Sequence, residues 1–457
     1  MTQSGKVNLS RVFFLVLPLL ALARPLAADE ETLRVDAPHP RIILNAQRLR
    51  RLRRERERES MRWNQFHLLM AGKAPMPEPG FAGALYYQVS GDVTAGREAL
   101  NWALGSATDL RQLALVFDWC QDLLTPEQSQ ALAAKLVRGI QQMHSDASVA
   151  AVRSRLLAAV ALSGHVTDVP EKEFEQIVHG WWRDKIVPAL NSGRLAVTRD
   201  DTYALMEILH VARDNFVIDL REGAPQFFAD LPTLQLLSYY PATYPAGEND
   251  YRIPATPHAT SEPDLRRAAL SRAAELAMVA YDSDAPGSQI LQGWLTDDHF
   301  LLHGTFGAPY EFLWANPYQP GLSYTQTPLV MHDALFGRLF ARSSWDESAA
   351  WLGYFSGVMQ LFHDGAVTEI DPAKEDEPLD MDAALVVSGA HAAKFKITAA
   401  GKEPVFVVGL EPRRNYLIEV DDEEITEETA DPGGILALDP PHGREVGVRI
   451  RAAQAGF

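Results

Sequence analysis

The sequence predicts a mainly α chain followed by β: a layered array of paired helices, then a short antiparallel β-sandwich. Two observations carry this. From about 94 to 336 apolar residues recur at helical spacing, and helix follows helix across short breaks. From about 337 the pattern turns to short runs of strand-like composition, such as "AALVVSG", "KFKITA", "EPVFVVGL", "NYLIEV" and "EVGVRIR". Turn residues such as "DPGG" and "PPHG" separate several of them. The expected boundaries are a leader over 1–28, a helical domain over 29–336 and a β-sandwich domain over 337–457.

The leader comes first. Lys6 and Arg11 lead into "VFFLVLPLLALA", too short an apolar run to span a bilayer, and small residues follow in "ALARPLAADE". This is the pattern of a secretory signal peptide, cut near Ala23 or Ala28, and it predicts a periplasmic or secreted bacterial protein with no membrane attachment after cleavage. Cys120 is the single cysteine, so no intrachain disulfide can form, and its apolar setting in "LALVFDWC" marks it as a core residue. Cleavage before Asp29 removes Lys6, Arg11 and Arg24 and no acid, taking the net charge from −18 to −21. That balance argues against nucleic acid as a partner, because phosphate binding needs a basic face. It also weighs against a polyanionic substrate, although a local field can oppose the net charge.

Element by element, Asn45 caps a helix that starts at Ala46. Its run "RLRRLRRERERES" alternates Arg and Glu and reads as a solvated helix with side pairs of mixed sign. "DLRQLALVFDWCQDLL" is apolar nearly all round, so it is buried on most sides. Thr125, Pro126 and Gln128 form a capping box with proline at the first helical position. Helices follow in "SQALAAKLVRGIQQM", "SVAAVRSRLLAAVALSG" and "EKEFEQIVHGWWRDKIVPAL". In "DTYALMEILHVARDNFVIDLREG", Leu205, Ile208, Leu209, Ala212 and Phe216 share one face, with Glu207, His210 and Asp214 on the other. Then "YYPATYPAGENDYRIP" breaks the helical pattern. Its prolines at 241, 245 and 254 forbid a regular helix and argue against a central strand. A further helix begins in "PDLRRAALSRAAELAMVAY". No fixed-period repeat of the solenoid kind is present.

Three segments taken in order resemble the heparinase II/III-like and alginate-lyase-like polysaccharide lyases. "HPRIILNAQRLRRLR" is similar to that family's opening after the signal, and "ALVFDWCQDLLTPEQ" to its A-x-x-Y-D-W segment with the following helix start. "FGRLFARSSWDESAAWLGYFSG" is similar to the crossing into its β-domain. The resemblance spans about 38 to 357 and implies an incomplete (α/α) toroid with a groove. Beyond the crossing, family members carry an H-x-H-x-D-x-G stretch that supplies metal ligands or catalytic support. Here "LFHDGAVTEI" offers His363, Asp364 and Gly365 with one His absent, and the β-region is shorter than the family's.

The activity so implied is β-elimination on a uronate-containing polysaccharide. A base takes the C5 proton, an acid protonates the leaving C4 oxygen, and a cation or amide neutralises the carboxylate. The Pro-fixed loop holds that inventory. Tyr251 is the candidate acid or base, Arg252 and Asn249 the carboxylate binders, and Tyr239, Tyr240 and Tyr244 the sugar platforms. From the preceding helix, His210 and Asn215 are catalytic candidates, and Trp314 is an aromatic substrate contact. These groups are expected to converge in one cleft. No cofactor and no metal are implied, although His299 and His303 have a spacing that can chelate one. Two alternatives stand beside the lyase. One is a toroid glycoside hydrolase drawing a carboxylate pair from Asp214, Asp219, Glu222, Glu248 and Asp250. The other is a non-catalytic carbohydrate-binding relative.

Overall fold

The structure, a computed structural model, describes residues 33–247, 249–257, 262–297, 301–374, 377–389, 392–398, 404–422, 424–439 and 444–453. The expected leader over 1–28, Glu248 and His299 lie outside them. A helical domain is followed by a β-domain.

The helices are α1 (Ala46–Glu57), α2 (Met61–Ala71), α3 (Pro79–Ser90), α4 (Val93–Leu104), α5 (Leu110–Trp119), α6 (Pro126–Met143), α7 (Val149–Leu162), α8 (Val169–Glu175), α9 (Val187–Asn191), α10 (Thr202–Phe216), α11 (Pro225–Leu237), α12 (Leu265–Tyr281), α13 (Pro286–Asp297) and α14 (Gly304–Trp314). A π-helical stretch, Gln176–Ile186, joins α8 to α9. Caps form where short polar residues precede apolar ones. Asn45 accepts from the Arg48 N–H, Asp109 from Gln112 and Ser148 from Ala151, and the Thr125–Gln128 capping box is complete.

Two kinds of helix alternate. In α5 every residue is buried and α7 is nearly as enclosed, whereas α6 buries only Leu132, Ala133, Leu136 and Ile140. The first kind forms an inner ring in the order α3, α5, α7, α10, α12, α14, each packed on the next. Phe81 and Tyr310, with ring centroids 5.1 Å apart, bring the first and last members together. The amphipathic helices pack outside. α10 is buried on all sides, so the face opposite its apolar stripe is enclosed too, with Glu207 and His210 fully buried.

The inner helices all run the same way, so their carboxyl ends meet at one end of the ring, where unsatisfied carbonyls and the helix dipoles concentrate negative potential. The N-terminal segment and α1 cover that end with guanidinium groups. Arg41 donates to Ala161 O (3.1 Å) and Ser163 O (2.5 Å) at the end of α7. Arg51 donates to Leu313 O (2.7 Å) at the end of α14, and Arg56 to Val89 O (2.8 Å) and Ser90 O (3.0 Å) at the end of α3. Arg213 reaches Tyr281 O at the end of α12. Among the described residues no arginine of α1 pairs with a carboxylate, which corrects the expected ladder of mixed-sign pairs. Much of the arginine run serves as a cationic plug.

Two of the motifs that carried the family resemblance meet in this plug. Asp118 of "FDWC" is fully buried and accepts from the backbone N–H groups of Arg41 (2.9 Å) and Ile42 (2.8 Å), and from His39 Nδ1 at 2.5 Å. His39 Nε2 lies 3.0 Å from His165 Nε2. Cys120 is buried beside them, and burial, with Asp122 and Asp118 nearby, pushes its thiol well above the ordinary range.

The strands are β1 (Tyr239–Ala246) and β2 (Asn249–Pro254), set within the helical domain. The β-domain then contains β3 (Val330–Asp333), β4 (Arg338–Arg342), β5 (Trp351–Phe355), β6 (Val358–His363), β7 (Ala366–Ile370), β8 (Leu379–Asp380), β9 (Leu385–Ser388), β10 (Ala392–Thr398), β11 (Val405–Val408), β12 (Asn415–Val420), β13 (Glu424–Thr429), β14 (Leu436–Leu438) and β15 (Glu445–Ala452). Its sheets are β3-β4-β5-β6-β7, β14-β11-β9-β8 and β10-β15-β12-β13. All pairs are antiparallel except β9 with β11.

These sheets stack in three layers, one more than a simple sandwich. Strand alternation shows how. Phe340, Trp351, Phe355 and Phe362 of the first sheet face the helical core, while Leu339, Ala341, Leu352 and Tyr354 face the second sheet. In the second sheet Val386, Phe406 and Val408 face the first, and Val387, Val405 and Val407 face the third. Buried on both faces, β11 reads as the continuous apolar run "VFVV". His363 and Asp364 form the exposed β6–β7 turn, with Asp364 and Gly365 at positive φ.

Candidate functional site

The Pro-rich loop is a two-stranded hairpin, β1 with β2, rooted at the junction of the two domains. Neighbouring strand residues point to opposite faces, and this decides the fate of its first two tyrosines. Tyr239 turns into the helices. Its ring lies 5.2 Å from that of Trp294, the Arg199 guanidinium sits 4.2 Å from its centroid, and its hydroxyl bonds Ser271 at 3.2 Å. Tyr240 turns into the first sheet, edge-on to Trp351 at 5.1 Å, and donates to Gln360 Oε1 at 2.9 Å. Both are buried, and burial raises their phenols, that of Tyr240 to about 12. They root the hairpin and do not act as open sugar platforms, which corrects that expectation. Trp314, 1 % exposed, is likewise a core residue, donating to the Tyr203 hydroxyl at 3.1 Å beneath the Arg48 guanidinium.

His210 and Asn215 lie elsewhere. His210 Nε2 is 2.9 Å from Ala277 O, and its Nδ1 is 3.3 Å from the guanidinium groups of both Arg48 and Arg213. Burial, then Arg48, drives its pKa well below the ordinary value of 6.5. Asn215 donates to Arg41 O and Val211 O. Both sit beneath the plug at the carboxyl end of α10, whereas the hairpin root meets α12 near Ser271. The expected convergence with Tyr251 and Arg252 therefore does not form. Two of the acids weighed for a hydrolase are engaged at that same end. Asp214 accepts from Asn45 at 2.8 Å, and Asp219 is chelated by Arg221.

Tyr251, Arg252 and Tyr244 remain at the hairpin, and the Asn249 side chain lies outside the described residues. Tyr244 stands opposite Tyr251 across the ladder and is 38 % exposed. Arg252 donates to Pro241 O and, at 3.1 Å, to Glu347, whose side chain is 60 % exposed.

Beside the hairpin exit, two adjoining cavities of about 260 and 190 Å³ share Arg199, Asp200 and Arg267. One wall is apolar, with Phe227, Leu231, Phe340 and Phe355. The other carries the amino ends of α10 and α12, where N–H groups and helix dipoles favour an anion. Arg267 pairs with Asp200, which is 56 % exposed, and Arg199 is fixed by Ser271 (2.8 Å), Ser238 and Glu275 (3.2 Å). Sequence reasoning passed over Arg199 and Arg267. The signal was present: "TRDD" and "PDLRR" place cations in first helical turns, where the dipole disfavours them.

Deeper in the ring, toward the same amino end, Glu207 accepts from Arg111 (2.7 Å), Arg153 (2.5 Å) and Tyr203 (2.9 Å). Arg111 also reaches Glu78 at 3.3 Å, and Tyr310 donates to Glu78 at 2.5 Å. Burial opposes the charge of Glu207, but the two arginines prevail and hold its carboxyl at about 2. Fully buried and held ionised by the two arginines, it is an anchor for the ring.

No protein-family model matches the sequence, and no curated protein matches it. A solved structure similar to it in part is a glycoside hydrolase, 11% identical, covering 82% of this chain and 71% of that one with a TM-score of 0.33. A likeness of that size decides nothing about activity.

Proposed function

We propose that the chain is a polysaccharide lyase-like enzyme that binds a uronate-containing polysaccharide along the domain junction and cleaves it by β-elimination at the hairpin. The observation that carries this is the Arg252–Glu347 pair. Arg252 is steadied by Pro241 O while its Nη2 holds a carboxylate that is mostly in solvent, so a substrate uronate can take the place of Glu347. Arg252 then withdraws charge from the uronate and acidifies the C5 proton. The base is the Tyr251 phenolate; next in the strand, its side chain leaves from the opposite face, so the sugar has to straddle the hairpin for both groups to reach it. The electron pair forms the C4–C5 double bond and the C4–O bond breaks, the leaving oxygen regaining a proton from Tyr251 or water. Arg199 and Arg267, at the amino ends of α10 and α12, extend the anion-receptive surface to neighbouring sugars, and Tyr244 offers an exposed ring.

The mature protein is mixed with alginate, heparin, heparan, chondroitin and hyaluronan, and the ultraviolet absorbance of the unsaturated uronate is followed. A rise on one of them is the expected result. New reducing ends without that absorbance would replace elimination by hydrolysis, and neither signal would leave a binding protein.

A further inference from the structure

We propose that the outer cleft of α1 is a second glycan site, which takes an oligosaccharide bearing sulfate or carboxylate groups. This builds on the polysaccharide reading above and lies at the opposite end of the helix ring from the junction cleft.

The cleft has a volume of about 600 Å³, enough for several sugar units, and its walls are α1 and the loops after α12 and α14. Arg48, Arg50, Arg51, Arg54, Arg58 and Arg213 line it, and no carboxylate does among the described residues. In a chain of net charge −18 this is a strong local reversal of sign. Asp214, close to Arg48, is engaged by Asn45 and Arg213.

The arginines divide into two groups. Arg51 is bound to the Leu313 carbonyl, and Arg48 to the Ile43 carbonyl and the Trp314 ring, so both are fixed at the cleft floor. Burial brings them down, Arg48 to about 9 with Arg51 adding to the fall and Asp214 opposing it, and Arg51 to about 10 with Glu55 opposing the fall. Arg50, Arg54 and Arg58 are exposed and cap no carbonyl. Four residues apart, they form a row spaced about 6 Å along the helix. Like charges at this spacing destabilise a helix. A linear ligand with regularly placed anionic groups relieves that repulsion.

The remaining lining indicates a sugar. Tyr318 is 54 % exposed with Arg58 5.4 Å from its ring centroid, giving one platform flanked by a cation. Ser283, Asn316 and Gln319 present neutral hydrogen-bonding groups suited to hydroxyls. A single-stranded nucleic acid calls for a succession of aromatic platforms, and the cleft has one.

The test is fluorescence anisotropy of a labelled sulfated hexasaccharide with the full mature chain and with the triple variant Arg50→Gln/Arg54→Gln/Arg58→Gln. The expected result is an affinity at least about 30-fold weaker, with a salt dependence reduced by about one unit per arginine removed and a melting temperature equal to or above the parent's. Binding by the triple variant within threefold of the parent overturns the proposal. So does equal displacement of the probe by inorganic sulfate at the same sulfate concentration, which makes this a simple anion site. An oligodeoxynucleotide of equal charge binding as tightly also overturns it. Arg252→Gln, which removes the proposed carboxylate binder of the junction cleft, is expected to leave the anisotropy unchanged. If it abolishes binding, the probe sits at the junction cleft and the second site falls, whereas loss of turnover alone leaves this proposal intact.

Discussion

Replacing Glu207 by Gln tests whether the interior of the helix ring is held by fixed charge. The carboxylate accepts from Arg111, Arg153 and Tyr203, and Arg111 is itself almost wholly enclosed. An amide of the same shape keeps an acceptor but turns an NH2 group toward two guanidiniums and leaves Arg111 with Glu78, at 3.3 Å, as its remaining carboxylate. Breaking a buried pair from one side costs about 3–5 kcal/mol. The carboxyl's fall from 4.5 to about 2 gives a similar figure, about 3 kcal/mol at 1.36 kcal/mol per unit. A depressed acid contributes stability that is complete above 4.5 and lost as pH falls through about 2. Urea unfolding at pH 7 should therefore show Glu207→Gln less stable by about 3 kcal/mol, with the gap closing below pH 4.5. A gap under about 1 kcal/mol at pH 7, or one that does not close in acid, would refute the network as a charge anchor.

Two further outcomes follow from the same geometry. His210 is held neutral below its ordinary 6.5, so the unfolded chain gains a proton there before the folded one does. Stability should fall as pH drops below 6.5, by up to about 1.4 kcal/mol per pH unit from this residue. His210→Gln should remove that slope, and parallel unfolding curves for the two proteins from pH 7 to 5 would contradict it. At the domain junction, Gln360 is fully buried, accepting from Tyr240 and donating to Thr256 O at 2.8 Å. Tyr240→Phe should cost about 1–3 kcal/mol in urea unfolding and speed amide exchange in the hairpin, and no change in either would remove Tyr240 as the root of the hairpin.

The sequence announced the fold order clearly because helical periodicity and strand alternation are local signals. Asn45, Thr125 and the enclosed α5 were legible for the same reason. The third sheet layer was not, since "VFVV" shows that both faces of β11 are buried without saying by what. The α1 arginines look solvated in one dimension, and their partners are carbonyls at the ends of helices far along the chain. The setting of His210 was not legible because a helix with one polar stripe looks alike whether that stripe meets water, a cleft or buried arginines. Tyr239 and Tyr240 look like sugar platforms on a Pro-fixed loop, and only strand alternation in three dimensions shows them entering two different cores. Arg199 and Arg267 left a trace as cations in first turns, which is faint beside the aromatic loop that follows.

The central claim is that Tyr251 transfers the proton at the junction cleft. Its most direct test is the elimination rate of Tyr251→Phe on the uronan that the parent enzyme cleaves, with kcat and KM measured separately. A loss of about 100-fold or more in kcat with KM little changed is predicted, since a positioned acid–base group contributes about that much. A variant that turns over at the parent rate would place the chemistry away from the hairpin.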